Sequence, residues 1–452
     1  MDVREPKPRT VLLLQGPPSF FLRDLAGELE RQGHSVLRIN LNLGDWLFWL
    51  GRGAVNYRGR LRDWRSYLTK FLAVHGVTDI VYYADRLPYH VIAGEVGREV
   101  GVAVTAVEFG YLRPDWITLE RDGMSAYSHF PNDPDDIRTL ALSMKPPQPG
   151  ALYTYPHARE AFCEVVYNLF AYFGRGLYPF YRSDRLYNPI IEYISHLPRI
   201  FSTRRNKRHS HAVLQELVDA GTPFYFFPLQ IDADYQLRAN SPFKRQAEAV
   251  KVVIRSFATR APKDTVLFFK QHPLDNAMTH WKSRIARLAR RYGVSERVRF
   301  VRDGDLREQL HNARGTVLIN STVGIHAMKA GCPIKTLGFA VYDMPGLTFQ
   351  GPLDAFWTKA EKPDPRLVRD LITVMANTIQ VRGNFYSREG RRAGAKAAAD
   401  RIARGAVNQP GAFVPTPPRL ADARRRGLQP ADCFGRQLPQ GGLAVAHEEV
   451  SP

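Results

Sequence analysis

Cysteine is scarce in this 452-residue chain, which contains only Cys163, Cys332 and Cys433. The three are far apart and odd in number, no Cys-x-x-Cys pair occurs, and no cysteine–histidine cluster has the spacing of a zinc site. These features exclude a disulfide-rich secreted domain and a zinc-binding module. We expect three reduced cysteines with mostly structural roles.

Long apolar runs are also missing. No stretch reaches the roughly 18 unbroken apolar residues that a membrane-spanning helix requires. The N-terminal sequence MDVREPKPRT has no apolar core of a secretory signal. We therefore expect a cytoplasmic protein that does not cross a membrane.

Positive charge is abundant, with a formal net charge of +19. The segment from Gly411 onward contains five arginines and four acidic residues, which leaves 58 basic and 40 acidic residues in the rest of the chain. Such a field attracts phosphates of nucleic acids, anionic lipids or nucleotide-linked substrates, and charge alone does not choose between them. Because no helix-turn-helix, RNP or zinc signature is present, nucleic acid is not an expected partner.

Apolar strands alternate with amphipathic helices along most of the chain, which indicates parallel α/β sheets. The predicted fold class is α/β, with two Rossmann-like domains facing a central cleft, C-terminal helices and a disordered tail. The predicted boundaries are 1–205, 206–362, 363–409 and 410–452. The cleft should lie at the carboxyl ends of the strands.

Two candidate site segments follow strands of the first domain. Gln15 and Gly16 begin a turn after strand 10–14, and a glycine there lets a ligand approach the backbone closely. Glu108 follows strand 103–108 in the sequence EFGYLRP, and a carboxylate at that place can act as a general acid or base. Arg113 is then either its ion-pair partner or a clamp for a substrate carboxylate. An ordinary turn and a solvent-exposed acid remain alternatives.

In the second domain, Gln230, Asp232 and Asp234 follow strand 223–229. Either carboxylate is a candidate nucleophile or hydrogen-bonding group, and helix capping is the alternative interpretation. The Asp-x-Asp spacing is that of some metal–diphosphate sites. It lies apart from the phosphate-suited segments, however, so we expect a reaction without a metal or other cofactor.

Two further segments of the second domain suit phosphate binding. Lys270, His272 and Pro273 end strand 265–270, where a fixed imidazole can stabilise a phosphate leaving group. The second segment precedes helix 323–330, where hydroxyls and backbone N–H groups bind anions, or merely cap the helix. Its residues are Asn320, Ser321, Thr322 and Gly324. This division predicts a nucleotide-sugar donor in the second domain and an acceptor in the first.

Several of these segments carry a resemblance to a known family. They are LLLQGPPSFFLRDLAGELERQGHSVLRINLNLGDW (12–46), EFGYLRPDWITLE (108–120), FFPLQIDADYQLRANSPF (226–243), KQHP (270–273) and INSTVGIHAMKAGCPIKTLG (319–338). The sequence resembles the capsule polysaccharide biosynthesis proteins of the KpsS/LipB type across roughly residues 10–400.

The resemblance implies a GT-B-like retaining β-Kdo transferase. Such an enzyme places the first Kdo, from CMP-β-Kdo, on phosphatidylglycerol or its lyso form, at the inner face of the bacterial inner membrane. Other capsule biosynthesis or export proteins are implied partners. His272, Pro273, Ser321 and Thr322 correspond to CMP-binding elements of related transferases. The glutamate and the aspartate of two family motifs correspond to Glu108 and to Asp234, and not to Asp232.

Retention by double displacement requires a carboxylate nucleophile and an acid/base. We assign Asp234 as the nucleophile, Glu108 as the base toward the acceptor hydroxyl, and His272 as the group that stabilises the departing phosphate. The reverse assignment of the two carboxylates stays open.

Aromatic and basic residues interleave at 46–71 and again at 167–187. One or both segments are candidates for an anionic membrane surface, with ordinary helix surfaces as the alternative. Two other functions also stay open: a GT-B enzyme or epimerase that uses a different nucleotide sugar, and a non-enzymatic export or assembly subunit.

Overall fold

The computed structural model describes residues 7–50, 53–276 and 278–428, with the side chains of residues 196–203 excepted. Its strands are β1 (Thr10–Leu13), β2 (Ser35–Asn40), β3 (Ala54–Asn56), β4 (Asp79–Tyr83), β5 (Ala103–Phe109), β6 (Trp116–Arg121), β7 (Phe224–Pro228), β8 (Val266–Lys270), β9 (Val298–Val301), β10 (Gly315–Leu318), β11 (Ile334–Thr336) and β12 (Gln380–Arg382).

Its helices connect and cover these strands. They are α1 (Phe21–Arg31), α2 (Leu43–Trp49), α3 (Trp64–Val74), α4 (Pro88–Glu99), α5 (Pro134–Leu142), α6 (His157–Phe173), α7 (Pro189–Asp219), α8 (Tyr235–Ala239), α9 (Gln246–Arg260), α10 (Trp281–Arg291), α11 (Leu306–Asn312), α12 (Val323–Lys329), α13 (Leu353–Lys359), α14 (Pro365–Thr378), α15 (Arg388–Ala403) and α16 (Leu420–Arg425).

The strands form two sheets with the same core topology. The first has the order β12-β6-β5-β4-β1-β2-β3 and the second the order β11-β10-β7-β8-β9. Five strands of the first sheet and all five of the second are parallel. Both parallel sets follow the doubly wound order 3-2-1-4-5, in which ligands bind at the carboxyl ends where the strand order reverses. The α/β, GT-B-like fold class expected from the sequence is therefore present.

Buried side chains cover both faces of each sheet, as expected for parallel strands between helices. In the second sheet every residue of β7 and β8 is buried. The rings of Phe227 and Phe269 on these neighbouring strands have centroids 5.3 Å apart. Such packing fixes the register of the strands that carry the candidate site.

Helices begin where their local sequence favours it. Asn188 accepts a hydrogen bond from Ile190 N at 3.0 Å, and Asp364 accepts one from Arg366 N at 2.8 Å, each followed by a proline at the first helical position. Ser387 accepts from Gly390 N at 3.1 Å. These caps satisfy N–H groups that have no partner inside the helix.

The chain returns to the first half after the second sheet is complete. Strand β12 pairs antiparallel with β6, and α15 packs on α1. Two side-chain contacts join these helices. Arg391 Nε of α15 lies 2.6 Å from Asp24 Oδ2 of α1, and Gln32, the residue after α1, donates through Nε2 to Asp400 Oδ1 of α15 at 2.7 Å. The helices predicted near 364–380 and 387–405 are present, but the sequence did not predict that the second one covers the first sheet.

The expectation of disorder from residue 410 onward is wrong for residues 411–428. This segment contains α16, and Arg419 is buried with its guanidinium donating to Phe130 O at 2.7 Å and Pro131 O at 3.0 Å. A guanidinium that binds several backbone carbonyls orders a segment whose own apolar content is low. Residues 429–452, including Cys433, lie outside the described part of the chain.

In the described residues, Cys163 and Cys332 are buried and form no disulfide. Across the same ranges, none of the helices combines the length and apolar character needed to span a bilayer.

Candidate functional site

The first candidate residue, Glu108, lies near the carboxyl end of β5. Its Oε1 accepts a hydrogen bond from Phe109 N at 2.9 Å, and its Oε2 accepts one from the hydroxyl of Tyr235. Tyr235 begins α8, directly after the first strand of the second sheet. Glu108 therefore lies at the contact between the two halves, where the sequence predicted a cleft.

Burial raises the pKa of Glu108 from 4.5 to about 7. Hydrogen bonds from Tyr235, Phe109 N and Tyr83 act in the opposite direction, and the charge of Asp234 raises the pKa further. A carboxyl group that is half ionised near neutral pH suits proton transfer. The hydrogen bond from Tyr235 also brings Glu108 near the second candidate carboxylate, because Tyr235 follows Asp234 directly in the chain.

Asp234 caps α8, accepting a hydrogen bond from Gln236 N at 2.9 Å. Burial raises its pKa, while the Gln236 N–H and the charges of Arg238 and Arg113 lower it. Arg113 itself is exposed, and its guanidinium lies 5.0 Å from the centre of the Phe109 ring. Glu108, Arg113 and Asp234 are thus brought together from the two halves.

Asp232 has different partners from Asp234. Its Oδ1 accepts from Gln246 N at 3.1 Å at the start of α9, and its Oδ2 lies 3.8 Å from Arg245 Nη1. These contacts give Asp232 a helix-capping role, which the sequence had left as one of two interpretations.

A chain of amide side chains connects the halves behind Tyr235. Gln236 Nε2 donates to the Tyr235 hydroxyl at 2.6 Å, and Gln236 Oε1 accepts from Ser125 Oγ at 3.1 Å. Asn240 Nδ2 donates to the same Gln236 oxygen at 2.8 Å, and Asn240 Oδ1 accepts from Ala126 N at 3.2 Å. A network of this kind holds Tyr235, and through it Glu108, in one orientation.

At the strand-order reversal of the second sheet, Gln230 and Asn320 bind each other. Gln230 Nε2 donates to Asn320 Oδ1 at 2.9 Å, and Asn320 N donates back to Gln230 Oε1 at 3.2 Å. Asn320 Nδ2 also donates to the backbone oxygens of Gln236 at 2.8 Å and Asn240 at 3.0 Å. These two predicted residues therefore join the ends of β7 and β10 to the Tyr235 segment.

The segment after Asn320 is closely packed. Ser321 Oγ accepts from Val323 N at 3.2 Å, and the Tyr342 hydroxyl donates to Ser321 O. A Cβ atom at Gly324 would lie 2.3 Å from the Tyr342 hydroxyl oxygen, so only glycine fits there. Thr322 is half-buried in the same turn. This glycine is thus required by packing, while the hydroxyls of Ser321 and Thr322 line the turn.

The Lys270–Pro273 segment lies at the same edge, because β8 is the neighbour of β7. Lys270 is buried, and its carbonyl accepts from Leu229 N at 2.8 Å. His272 is half-buried, and its Nδ1 accepts from Leu274 N at 3.0 Å, which places the proton of the neutral ring on Nε2. Pro273 is exposed.

Gln15 and Gly16 lie at the corresponding edge of the first sheet but contact a different group of residues. Gln15 Nε2 donates to the Tyr167 hydroxyl at 2.9 Å, and that hydroxyl donates to Asp45 Oδ1 at 3.0 Å. Gly16, Trp49 and Tyr167 line a small cavity. The structure therefore groups these residues with α2 and α6 rather than with Glu108.

Two residues of the site were not predicted. One is Tyr235, which had been quoted only as part of a longer segment. The other is Asp85, which follows β4 and accepts from Met124 N at 3.0 Å through Oδ2, while its buried Oδ1 has no hydrogen-bond partner among the described residues. Burial raises the pKa of Asp85 to about 6. Asp85 also follows a strand, so the reasoning that selected Glu108 from the sequence could have selected Asp85 as well.

Comparisons with known proteins show which family the chain resembles in sequence. Residues 78–386 match the family model described as capsule polysaccharide biosynthesis protein. The chain is 31% identical to the capsule polysaccharide export protein KpsS of Escherichia coli over 380 residues, covering 83% of this chain and 96% of that protein. It is 32% identical to the capsule polysaccharide modification protein LipB of Neisseria meningitidis serogroup A over 391 residues, covering 83% and 91%.

Among solved structures, the chain is similar to the β-Kdo 2,7-transferase KpsC of Thermosulfurimonas dismutans. The sequence identity is 13%, the TM-score is 0.42, and the match covers 87% of this chain and 98% of that one. The family match extends over more than half of the residues, and two relatives exceed 30% identity over most of their length. The chain therefore belongs to the family of capsule polysaccharide biosynthesis proteins.

Proposed function

We propose that the protein is a retaining β-Kdo transferase that moves Kdo from CMP-β-Kdo to a phosphatidylglycerol-type acceptor and so starts the capsule linker. The observation that carries the proposal is that two half-buried carboxyl groups from opposite halves, Glu108 and Asp234, meet at Tyr235, whose hydroxyl donates to Glu108 and which follows Asp234 directly in the chain. Family membership supports a role in capsule polysaccharide biosynthesis, and the proposed donor and acceptor are those that the sequence resemblance implies.

In the proposed first step, Asp234 attacks the anomeric carbon of Kdo, and the bond to the CMP phosphate oxygen breaks. In the second step Glu108 takes the proton of the acceptor hydroxyl, whose oxygen displaces Asp234. Two displacements give net retention. The pKa of about 7 for Glu108 leaves a substantial deprotonated fraction at neutral pH, as a general base requires.

The donor is proposed to bind along the carboxyl edge of the second sheet. Lys270 supplies positive charge at the end of β8, and His272, Ser321 and Thr322 supply hydrogen-bonding groups for the phosphate. Asn320 is held by Gln230 and by two backbone oxygens, so the turn that follows it is positioned before any ligand binds. Arg113 is proposed to bind the carboxylate of Kdo.

The proposed reaction uses no metal ion. The proposal is supported by the contacts of Asp232, whose carboxylate accepts a hydrogen bond at the start of α9 and pairs with Arg245. Asp232 and Asp234 therefore do not act as one chelating pair. Activity should therefore persist after treatment with EDTA, and a loss that added Mg²⁺ restores would contradict this part of the proposal.

The test is mass spectrometry of products formed from CMP-Kdo and a short-chain phosphatidylglycerol. A product heavier by one Kdo residue is expected with wild-type protein. CMP should raise the melting temperature, whereas UDP should not. Stabilisation by UDP together with absence of the Kdo product would refute the proposal.

A further inference from the structure

The α6–α7 hairpin, defined here as residues 157–195, carries an unusual concentration of exposed apolar side chains. Sixteen large apolar side chains of the described residues are exposed, and seven belong to this segment of 39 residues. They are Phe162, Phe170, Phe173, Leu177, Phe180, Ile191 and Ile194. Single exposed apolar residues are common, but a concentration of this kind marks an interaction surface.

The other aromatic segment, 46–71, has a different arrangement. Trp64 is fully buried, Tyr57 is buried, and their ring centroids lie 4.7 Å apart in the core of the first half. Trp46 remains exposed. The expectation that rings of this segment face a membrane is therefore wrong for Tyr57 and Trp64, and the hairpin becomes the candidate.

The hairpin presents its apolar side chains from a fixed pair of helices. Phe162 and Phe173 are eleven residues apart, which is three helical turns, so they lie on one face of α6. The hydroxyl of Tyr193 in α7 joins the helices, accepting a hydrogen bond from Asn168 Nδ2 at 2.9 Å and lying 3.3 Å from Glu164 O. The phenylalanines therefore project from an ordered element and not from a loose loop.

The exposed charged residues of the hairpin are all basic, namely Arg159, Arg175 and Arg182. Its acidic residues are less exposed: Glu192 pairs with Arg185, and burial raises the pKa of Glu164 to about 7. The outward surface thus combines apolar side chains with positive charge.

Arginines of the preceding segment extend this surface. The guanidinium of Arg60 lies 4.8 Å from the centre of the Phe180 ring, and that of Arg58 lies 5.9 Å from the Tyr178 ring. Rings that enter the headgroup region while neighbouring arginines contact phosphates form the usual pattern of a peripheral membrane surface.

We propose that the α6–α7 hairpin docks on an anionic lipid bilayer. A bilayer fits better than a second copy of the chain, because two copies would bring exposed arginines of the same surface together. Tyr167 of α6 also binds Gln15 at the edge of the first sheet, so docking would place the acceptor-side half next to lipid headgroups. The inference deepens the proposed function and rests on it for the identity of the lipid acceptor, whereas binding to vesicles is measured separately.

The experiment is flotation of the full-length protein with phosphatidylglycerol vesicles and with phosphatidylcholine vesicles. The wild type should bind the anionic vesicles and lose most of that binding in high salt. The double variant Phe162→Ser/Phe173→Ser should bind at least about tenfold more weakly, since each ring contributes apolar burial. The variant Arg175→Glu/Arg182→Glu should also bind more weakly, and its residual binding should depend less on salt.

The matched control is Val74→Ser/Leu142→Ser, which removes two apolar side chains that are 79% and 90% exposed outside the hairpin. It should bind vesicles like the wild type. Unchanged flotation of both hairpin variants would overturn the proposal, as would equal weakening in the control. A wild-type dimer that the Phe162→Ser/Phe173→Ser variant converts to a monomer would identify the surface as a self-interface instead.

Transfer to a water-soluble short-chain acceptor distinguishes this inference from the proposed function. The hairpin variants should retain such transfer, because neither phenylalanine belongs to the candidate site. If the wild type floats with anionic vesicles but forms no Kdo product, the docking surface stands and the proposed reaction fails. If it forms the product but does not float, the proposed reaction stands and the docking surface fails.

Discussion

Asp232 and Asp234 are separated by one residue, yet their carboxylates have different surroundings. Asp232 holds the start of α9, whereas Asp234 caps α8 and faces the positive charges of Arg113 and Arg238. Both aspartates therefore cap a helix, and only Asp234 also has a proposed chemical role.

Replacing Asp234 with asparagine tests that distinction. Asparagine also caps helices, so the variant should lose less than about 1 kcal/mol of stability. Without a carboxylate nucleophile, Kdo transfer should fall by about 10³-fold or more. The control variant Asp232→Asn should keep most of its activity. Comparable losses in both variants, measured as kcat/KM by product mass spectrometry, would rule out the assignment of Asp234.

Burial raises the pKa of Glu108, and the hydrogen bond from the Tyr235 hydroxyl opposes that effect by lowering it. The variant Tyr235→Phe removes that donor, so the pKa of Glu108 should rise above the wild-type value. The acidic limb of the kcat/KM profile should then move to higher pH, since a base acts only when it is deprotonated.

The matched control for this variant is Tyr111→Phe, which removes a tyrosine that donates at 2.9 Å to another buried glutamate, Glu120. Its pH profile should keep the wild-type acidic limb. A limb that stays in place in Tyr235→Phe, or moves equally in both variants, would show that Tyr235 does not set the pH dependence.

Among single residues, polar side chains that follow strands were selected from the sequence, because parallel strands present their carboxyl ends at one edge of a sheet. Glu108, Gln230, Asn320 and the pair Asp232 and Asp234 became candidates in this way, and the choice of Asp234 over Asp232 came from the family resemblance. Tyr235 was not, since its role depends on a contact across the two halves, 127 residues apart along the chain. No local pattern encodes such a contact.

Among the elements, the C-terminal segment 411–428 differs most from the expectation drawn from the sequence. Its Val414 exchanges hydrogen bonds with His129, with the backbone bond Val414 N to His129 O at 2.9 Å and the ring contact His129 Nδ1 to Val414 O at 2.7 Å. Arg419 donates to Phe130 O and Pro131 O in the first half and to Val341 O in the second. One short segment therefore fastens both halves.

The variant Arg419→Ala should destabilise the protein by about 1–3 kcal/mol, because three buried carbonyls lose their donor. Part of that loss is offset, since burying the guanidinium is itself costly, as the lowered pKa of Arg419, about 10, indicates. Chemical denaturation of the full chain measures the change. Arg424→Ala, an exposed arginine of α16, is the control and should change stability by less than about 0.5 kcal/mol.

Long amphipathic helices and buried strands were predictable from their periodicity, and the main elements of both sheets lie within a few residues of their expected positions. Strands β3, β6 and β12 were not predicted, and β3 and β12 have only three residues each, too few for a periodic signal. The sequence also did not predict that the segment around Arg419 is ordered. A composition rich in proline, glycine and arginine indicates disorder only when no surface elsewhere supplies carbonyl partners.

For the molecule as a whole, we expect several buried or half-buried carboxyl groups to contribute to the dependence of stability on pH. Burial raises the pKa of Glu108, Glu120 and Glu164 to about 7, and that of Asp85 to about 6. The unfolded chain releases these protons near their ordinary values, so the folded chain binds more protons between the two pKa values. Stability from these groups is present at low pH and is lost as pH rises through about 7.

The free energy of unfolding should therefore fall between pH 6 and pH 8, by about 1 kcal/mol for each of the three glutamates. His90, whose pKa is lowered to about 4 by burial, acts in the opposite direction, but mainly below about pH 6.5. Urea denaturation at several pH values measures the slope. In Glu120→Gln the slope should be shallower by about a third, and an unchanged slope would show that Glu120 does not retain its proton.

The contacts of Arg419 have a mechanical consequence. A rotation of one half against the other that kept the hydrogen bonds of Arg419 would pivot near Arg419. Residues near Phe130 and Val341 would then move least, and residues far from Arg419 would move most. A closure driven by a ligand would likewise leave the Arg419 contacts in place, while residues of the two halves far from Arg419 approached each other.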